Sequence, residues 1–414
     1  MPVREAVEAA HRSDWAAVVA ATVRVTRDLD LAEECAQDAF TRALETWPRT
    51  GVPDRTRGWL VTVASNRARD LLRRRAAWHR ALPLLVVDDV APGPDALDEP
   101  PAVPDDTLRL VFTCCHPALG RDAQVALTLR LVCGLATPDV ARAFLVREAT
   151  MAARITRAKK KIAAAHIPYR VPSAAELPAR VGAVCEVLHL VFTTGHTAPS
   201  GDRLVRAELV DAAVRQARTL HGLLPDERQV AGLLALFLLV DARRAAREDD
   251  DGRLVLLADQ DRSLWRRDQV EEGTALLSRA LGGPQPHRYA VEAAIAAVHA
   301  ESPTWQDTDW DEIVGLYDVL LAGWPSPVVA LNRAVAVGLR DGPRAGLAAL
   351  EPLSGEPVLA GYGYLSAARA DFLRRLGSWA AASAAYEEAL VLTANGPERR
   401  FLEDRLRDVE GRLV

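Results

Sequence analysis

Lysine is almost missing from this chain: it occurs only at 159, 160 and 161, and arginine supplies the other fixed positive charges. Positive charge does not dominate either, because the formal net charge is −5 over 414 residues. A globally basic polyanion binder is therefore excluded, and any nucleic-acid site must be a local patch. Cysteine is sparse. The five residues Cys35, Cys114, Cys115, Cys133 and Cys185 lie in apolar helical stretches, which suits reduced thiols rather than a disulfide framework. The longest apolar run, Val230 to Val240, is too short to span a bilayer. The acidic, amphipathic beginning is unlike a signal peptide. Gly-rich phosphate loops, nucleophile motifs and paired-carboxylate signatures are missing too. What remains is rich in Ala, Leu and Arg, with apolar residues at helical spacing. The expectation is an all-α, soluble, cytoplasmic protein of two or three domains, not an enzyme and without a cofactor.

The three lysines end the stretch LATPDVARAFLVREATMAARITRAKKK, residues 135–161. It reads as two short helices joined by a tight turn. Thr137 caps the first, and Pro138 occupies its first position. Val140, Phe144 and Leu145 form its apolar face. Leu145, Val146 and Arg147 make the turn, and Glu148 opens the second helix, where acid complements the helix dipole. Met151 and Ile155 turn inward, leaving Thr150, Arg154, Arg157, Lys159, Lys160 and Lys161 to face outward. A helix with short polar residues early and cations late suits the major groove of a duplex.

Residues 1–81 read as several helices. Trp15, Val18, Val19 and Val23 line one face of the first. After a turn at 28–30 comes LAEECAQDAFTRALETW, with apolar Leu31, Cys35, Ala39, Leu44 and Trp47 and an acidic face of Glu33, Glu34, Asp38 and Glu45. Pro48 is expected to end that helix. A third helix, WLVTVASNRARDLLRRRAAWHR, has Trp59, Leu60, Val63, Leu71 and Leu72 as core positions. Its other face carries Asn66, Arg67, Arg69, Arg73, Arg74 and Arg75, the residue types that neutralise phosphates and recognise bases. Between 81 and 106 there are six prolines, seven acidic residues and no basic ones, the composition of a flexible linker that keeps off DNA by charge.

The segments LAEECAQDAF, GWLVTVASNRARDLLRRR and ATMAARITRAKKK follow one another in an order and spacing that resembles a sigma factor of RNA polymerase. The similarity is to the compact extracytoplasmic-function group of the sigma-70 family. It assigns 1–81 to region 2, 82–106 to the linker and 107–170 to a region 4 helix-turn-helix. The resemblance implies that Glu33, Glu34, Gln37 and Asp38 dock core RNA polymerase on its β′ clamp, with the β subunit also a partner. It implies that Asn66, Arg67, Asp70, Arg73 and Arg74 engage and melt the −10 element of promoter DNA. The loop 48–58 would hold a flipped base, although it is short of aromatics. Thr150, Arg154, Arg157 and Lys159 would read the −35 element. Ala152 and Ala153 stand where the family commonly has polar residues, so the promoter sequence is not implied.

Residues 171–414 read as helix after helix. In LGSWAAASAAYEEALVLTANGPE, residues 376–398, Gly377 makes a turn, Trp379, Ala382, Tyr386 and Ala389 are packing positions, and Asn395-Gly396-Pro397 stops the helix. That spacing matches a tetratricopeptide repeat, and residues 328–353 form a degenerate copy with its turn at Asp341-Gly342. The chain thus resembles sigma factors with a long C-terminal tetratricopeptide-like extension. That extension is expected to regulate, through a protein partner or an intramolecular contact. Other groupings carry less. Asp249-Asp250-Asp251-Gly252 lacks the alternation of a calcium loop. Cys114, Cys115, His116 and Cys133 fit no zinc spacing, and His189, His196, Asp202 and Asp211 lack a nucleophile. Two other readings stay open on these residues: a helix-turn-helix activator with a repeat-based sensor, and a helical-repeat scaffold.

Overall fold

The computed structural model describes residues 3–81, 103–144, 146–173, 175–283 and 285–413. The expected linker up to residue 102 and Leu145 of the expected turn lie outside the described residues. Among the described residues there is no strand, only two isolated bridges, and the all-α expectation is borne out. The chain divides into two compact units, 1–188 and 189–414.

The N-terminal unit opens with α1 (Val3–Thr26), α2 (Leu29–Thr50) and α3 (Thr56–Ala81), packed on one another. Asp28 separates α1 from α2 because its carboxylate accepts the amides of Asp30 and Leu31 at 2.8 and 3.1 Å. Trp15, Val18, Val19, Leu31, Cys35, Ala39 and Trp47 are buried as expected. Leu44 and Pro48 of α2 depart from expectation. Leu44 is 48% exposed, because Ala43 and Trp47 already fill the inward stripe at its end. Pro48 does not stop the helix, which runs to Thr50 and ends where the Gly51 amide donates to Trp47 O at 3.0 Å. A proline removes one amide and clashes only with the preceding turn, so the helix continues two residues beyond it here. On α3 the buried residues are Leu60, Ala64, Ser65 and Ala68. Trp59, Val63, Leu71 and Leu72 are only half-buried.

Next come α4 (Val103–Cys114), α5 (Arg121–Leu127) with a π-turn over Thr128–Val132, α6 (Thr137–Ala143) and α7 (Glu148–Ala164). The helix α4 starts inside the stretch expected to be linker. It packs on α1, where Arg24 lies 3.5 Å from the buried Asp106 carboxylate. Tyr169 brings its hydroxyl to Ala20 O (2.9 Å) and Asp106 O (3.1 Å). Gly134 follows the π-turn with φ +73°, and a Cβ there would lie 2.9 Å from Trp15 Cδ1. Gly134→Ala therefore combines left-handed strain with a clash against a buried indole. It is expected to cost roughly 2–4 kcal/mol in urea unfolding.

The boundary between the units falls within α8 (Leu177–His196). Among the described residues this is the helix whose length and composition pass the test for crossing a membrane, yet Val181, Val184, Cys185, Val187, Leu188, Val191 and Phe192 are buried. In the C-terminal unit, α9 (Ala207–Leu223), α11 (Arg267–Leu281) and α12 (Arg288–Glu301) surround α10 (Arg228–Asp241). Val230 to Leu239 of α10 is buried without interruption. Its Gly232 allows the backbone of Ala290 to approach so closely that a Cβ would sit 2.9 Å from the Ala290 nitrogen.

The remaining helices pack on their neighbours in sequence: α13 (Trp310–Gly323), α14 (Pro327–Arg340), α15 (Pro343–Leu350), α16 (Gly363–Arg375), α17 (Trp379–Leu392) and α18 (Gly396–Glu410). The expected turns are present at Gly342 (φ +96°) and Gly377 (φ +72°). Ala382, Tyr386 and Ala389 face the core with Leu402 and Val409 of the next helix. Asn395 caps α18 by accepting the Glu398 amide, and donates to Ala198 O and Arg203 O, both at 2.9 Å. The Gly396 amide donates to Gly201 O at 2.8 Å beside it.

Candidate nucleic-acid interface

The two cationic helices expected to meet nucleic acid, α3 and α7, both belong to the N-terminal unit. On α3 the buried stripe turns Asn66, Asp70, Arg73 and Arg74 to solvent. Arg69 Nη1 donates to Asn66 Oδ1 at 2.9 Å, and Arg73 lies 3.5 Å from Asp70 one turn away. Exposed pairs of this kind contribute about 0.3–0.5 kcal/mol and exchange readily for phosphate contacts. Arg67 is half-buried and bridges to α2, donating from Nε to Asp38 Oδ2 at 2.8 Å. The structure thus joins a residue expected to touch DNA to one expected to dock polymerase.

On α2, Glu34 and Gln37 are exposed and Asp38 is half-buried. Glu33 departs from the expected acidic face. It is only 8% exposed, and its carboxylate takes Arg130 on one oxygen and Lys159 Nζ on the other at 2.6 Å. A carboxylate carried inward by the helix register is costly to bury unless cations accompany it.

Lys159 is the matching correction on α7. Met151, Ile155, Ala158 and Ile162 form the buried stripe. Four residues beyond Ile155, Lys159 lies on that same face and not outward. Its Nζ reaches Asp30 Oδ1 at 2.7 Å as well as Glu33. Burial alone would draw this lysine down; the Glu33 and Asp30 carboxylates outweigh it and hold Lys159 above the usual lysine range. Of the four residues expected to read duplex DNA, Thr150 and Arg157 are exposed. Arg154 is half-buried, pairs with Asp122 at 3.2 Å and stacks over Phe144 at 5.5 Å. Lys160 and Lys161 complete the exposed cationic edge.

Sequence reasoning missed Asp30, Arg130 and Asp122. No local pattern links Arg130 to Glu33 or Asp122 to Arg154, because these pairs form only when the helices pack. The burial of Lys159 did have a signal, its place in the apolar stripe of α7. Beside this cluster the start of α2 and the end of α7 border a cleft of about 530 Å³, lined among others by Arg27, Asp30, Lys159, Lys160, His166 and Tyr169. The five cysteines are buried and form no disulfide among the described residues. Burial pushes Cys115 up to about 11, with Thr128 Oγ1 at 3.4 Å. Among the described residues no three His, Cys, Asp or Glu side chains gather as metal ligands would.

Comparison with known families places sigma-70 region 2 on residues 15–77, which cover most of α1 to α3. A second match, on residues 180–281, is to a family of unknown function, DUF6596. The uncharacterized protein R00370 of Rhizobium meliloti is 44% identical over 390 residues, covering 93% of this chain and 92% of that protein. The probable ECF RNA polymerase sigma factor SigI of Mycobacterium tuberculosis is 29% identical over 172 residues, 39% of this chain and 56% of SigI. No solved structure matches.

Proposed function

We propose that this chain, which is of one family with R00370 of Rhizobium meliloti, is a promoter-selective initiation factor of the sigma-70 family and of its extracytoplasmic-function type, because residues 15–77 match sigma-70 region 2. It binds core RNA polymerase and promoter DNA and performs no covalent chemistry of its own. The single observation that carries this reading is the region 2 match falling on a three-helix bundle whose α2 presents an acidic edge and whose α3 presents a cationic one.

Glu34, Gln37 and Asp38, with Glu33 once released, dock the polymerase. Asn66, Arg67, Asp70, Arg73 and Arg74 engage and open the −10 element. Thr150, Arg154 and Arg157 read the −35 element from α7, with the exposed lysines on phosphates. Lys159 joins them only when its ion pairs with Asp30 and Glu33 open. The pairing of Lys159 with Glu33 and of Arg67 with Asp38 supports a free form in which DNA-binding and polymerase-binding residues occupy one another. The C-terminal helices act as a tetratricopeptide-like regulatory extension, and the protein works in the cytoplasm.

Run-off transcription tests the reading, with bacterial core polymerase, the full chain, and DNA fragments from upstream of its own gene as templates. Specific transcripts that depend on the chain are expected. Tight duplex binding by the chain alone, with no transcript, would instead establish a helix-turn-helix activator.

A further inference from the structure

The C-terminal unit contains a cluster of buried hydrogen-bond donors that the role in initiation does not use. The last turn of α10 runs into the short helical turn Arg244–Ala246, which packs on a second such turn, Arg262–Leu264. The two are stitched together where the Arg266 amide donates to Ala242 O at 2.9 Å. Five arginines crowd this junction, and two of them have carboxylates as ion-pair partners: Arg244 pairs with Asp241 and Asp211, and Arg266 with Asp241.

Arg243 and Arg262 are provided for differently. Arg243 is half-buried and has no ion pair or hydrogen bond among the described residues, while Arg247 sits nearby as a second positive charge. Arg262 donates from Nη1 to the carbonyls of His299 and Ser302, both at 2.6 Å, and lies 4.6 Å above the Trp265 ring. Its Nη2 is buried without a partner. So are the indole N–H of Trp265, a residue only 6% exposed, and Nδ1 of His299. Trp305 and Trp310 wall the far side of His299, with ring centroids 6.3 and 5.5 Å away. Burial, then Arg243 and Arg262, hold His299 down at about 4, so the imidazole is neutral at pH 7 and adds no charge.

Buried donors in native proteins find partners, and a buried cation is costly unless a counter-charge accompanies it. Ordered water would satisfy the N–H groups but leave the charge of Arg243 unbalanced. An oxyanion does both, and a guanidinium fork is the geometry that binds one through two parallel hydrogen bonds. We propose that this cluster is a binding site for a small oxyanion, a carboxylate or phosphate group, held by Arg243 and Arg262 with the Trp265 N–H as a neutral donor. The site lies in the C-terminal unit, and it does not depend on the initiation role.

The test is a thermal-shift and tryptophan-fluorescence titration of the full chain with sodium phosphate and, separately, sodium acetate, at ionic strength held constant with sodium chloride. Saturable stabilisation by at least one anion is expected, and the arm that responds identifies the headgroup as phosphate, carboxylate or either. Arg243→Gln should weaken the response at least about tenfold, the loss of one charge-assisted contact. Arg344→Gln, at an exposed arginine elsewhere in the unit, should leave it unchanged. If Arg243→Gln fails to fold by circular dichroism, Arg243→Lys serves in its place. It keeps the charge but loses the fork, and should weaken binding severalfold. No saturable response beyond chloride, or an undiminished response in the Arg243 variant that folds, overturns the proposal.

Discussion

Glu34→Arg combined with Gln37→Arg should lower the affinity for core RNA polymerase by about 3 kcal/mol, a little over a hundredfold, by setting like charges where the edge of α2 meets its partner. Both side chains are exposed, so unfolding free energy should stay within about 0.5 kcal/mol of the parent. Asp38 is the less informative target, because its partner Arg67 would be left beside a new positive charge and the fold of the bundle would change with it. Biolayer interferometry against purified core polymerase reads the affinity, and urea unfolding reads the stability. Undiminished affinity would show that α2 is not the docking edge and would favour a factor that acts on DNA alone.

The second large effect separates two residues that lie two positions apart, on different faces of one helix. Arg157→Ala should reduce promoter affinity and flatten its salt dependence without changing stability, since Arg157 is exposed. Lys159→Ala should instead destabilise the N-terminal unit by roughly 3–5 kcal/mol, because it strands the buried Glu33 and its neighbour Asp30 with one cation fewer. The sign of the pH dependence follows. Lys159 is held above the usual lysine range in the folded state, so its contribution is fully present below the unfolded lysine value of about 10.4. It is lost as pH rises through the folded one. Denaturant titrations of the parent and Lys159→Ala should therefore differ widely at neutral pH and converge above that range. Equal stability of the two at pH 7 would mean that the ion-pair cluster does not hold the unit together.

Much of this architecture is legible in the sequence. Helical spacing in α1, α2 and α7 identified Trp15, Val18, Cys35, Trp47, Met151 and Ile155 as inward, because a one-dimensional period reports the face of a single helix directly. The turns at Gly342 and Gly377 were legible for the same local reason: both take positive φ. The misreadings have a common cause. Glu33 and Lys159 were placed outside because charge argues for solvent, yet each shares a face with apolar neighbours, and each is satisfied by the other across the packed unit. Arg130 and Asp122 were invisible because their roles exist only in tertiary contact. Propensity alone ends α2 at Pro48, and the surrounding bundle carries it two residues further. The donor cluster of the C-terminal unit had no motif at all. It is defined by what Arg243, Arg262 and Trp265 fail to touch, and a sequence does not record missing partners.

Asn395 gives the C-terminal unit a different mechanical character from an open stack of repeats. In an open stack the last helix pair touches only the pair before it, so the array frays from its end and shortens without disturbing its beginning. Here the amide of the residue capping α18 is spent on the carbonyls of Ala198 and Arg203, and Gly396 donates to Gly201 beside it. First and last segments of the unit thus form a circuit rather than a line. Strain applied at the start of α18 reaches the loop after α8 without travelling through the helices between.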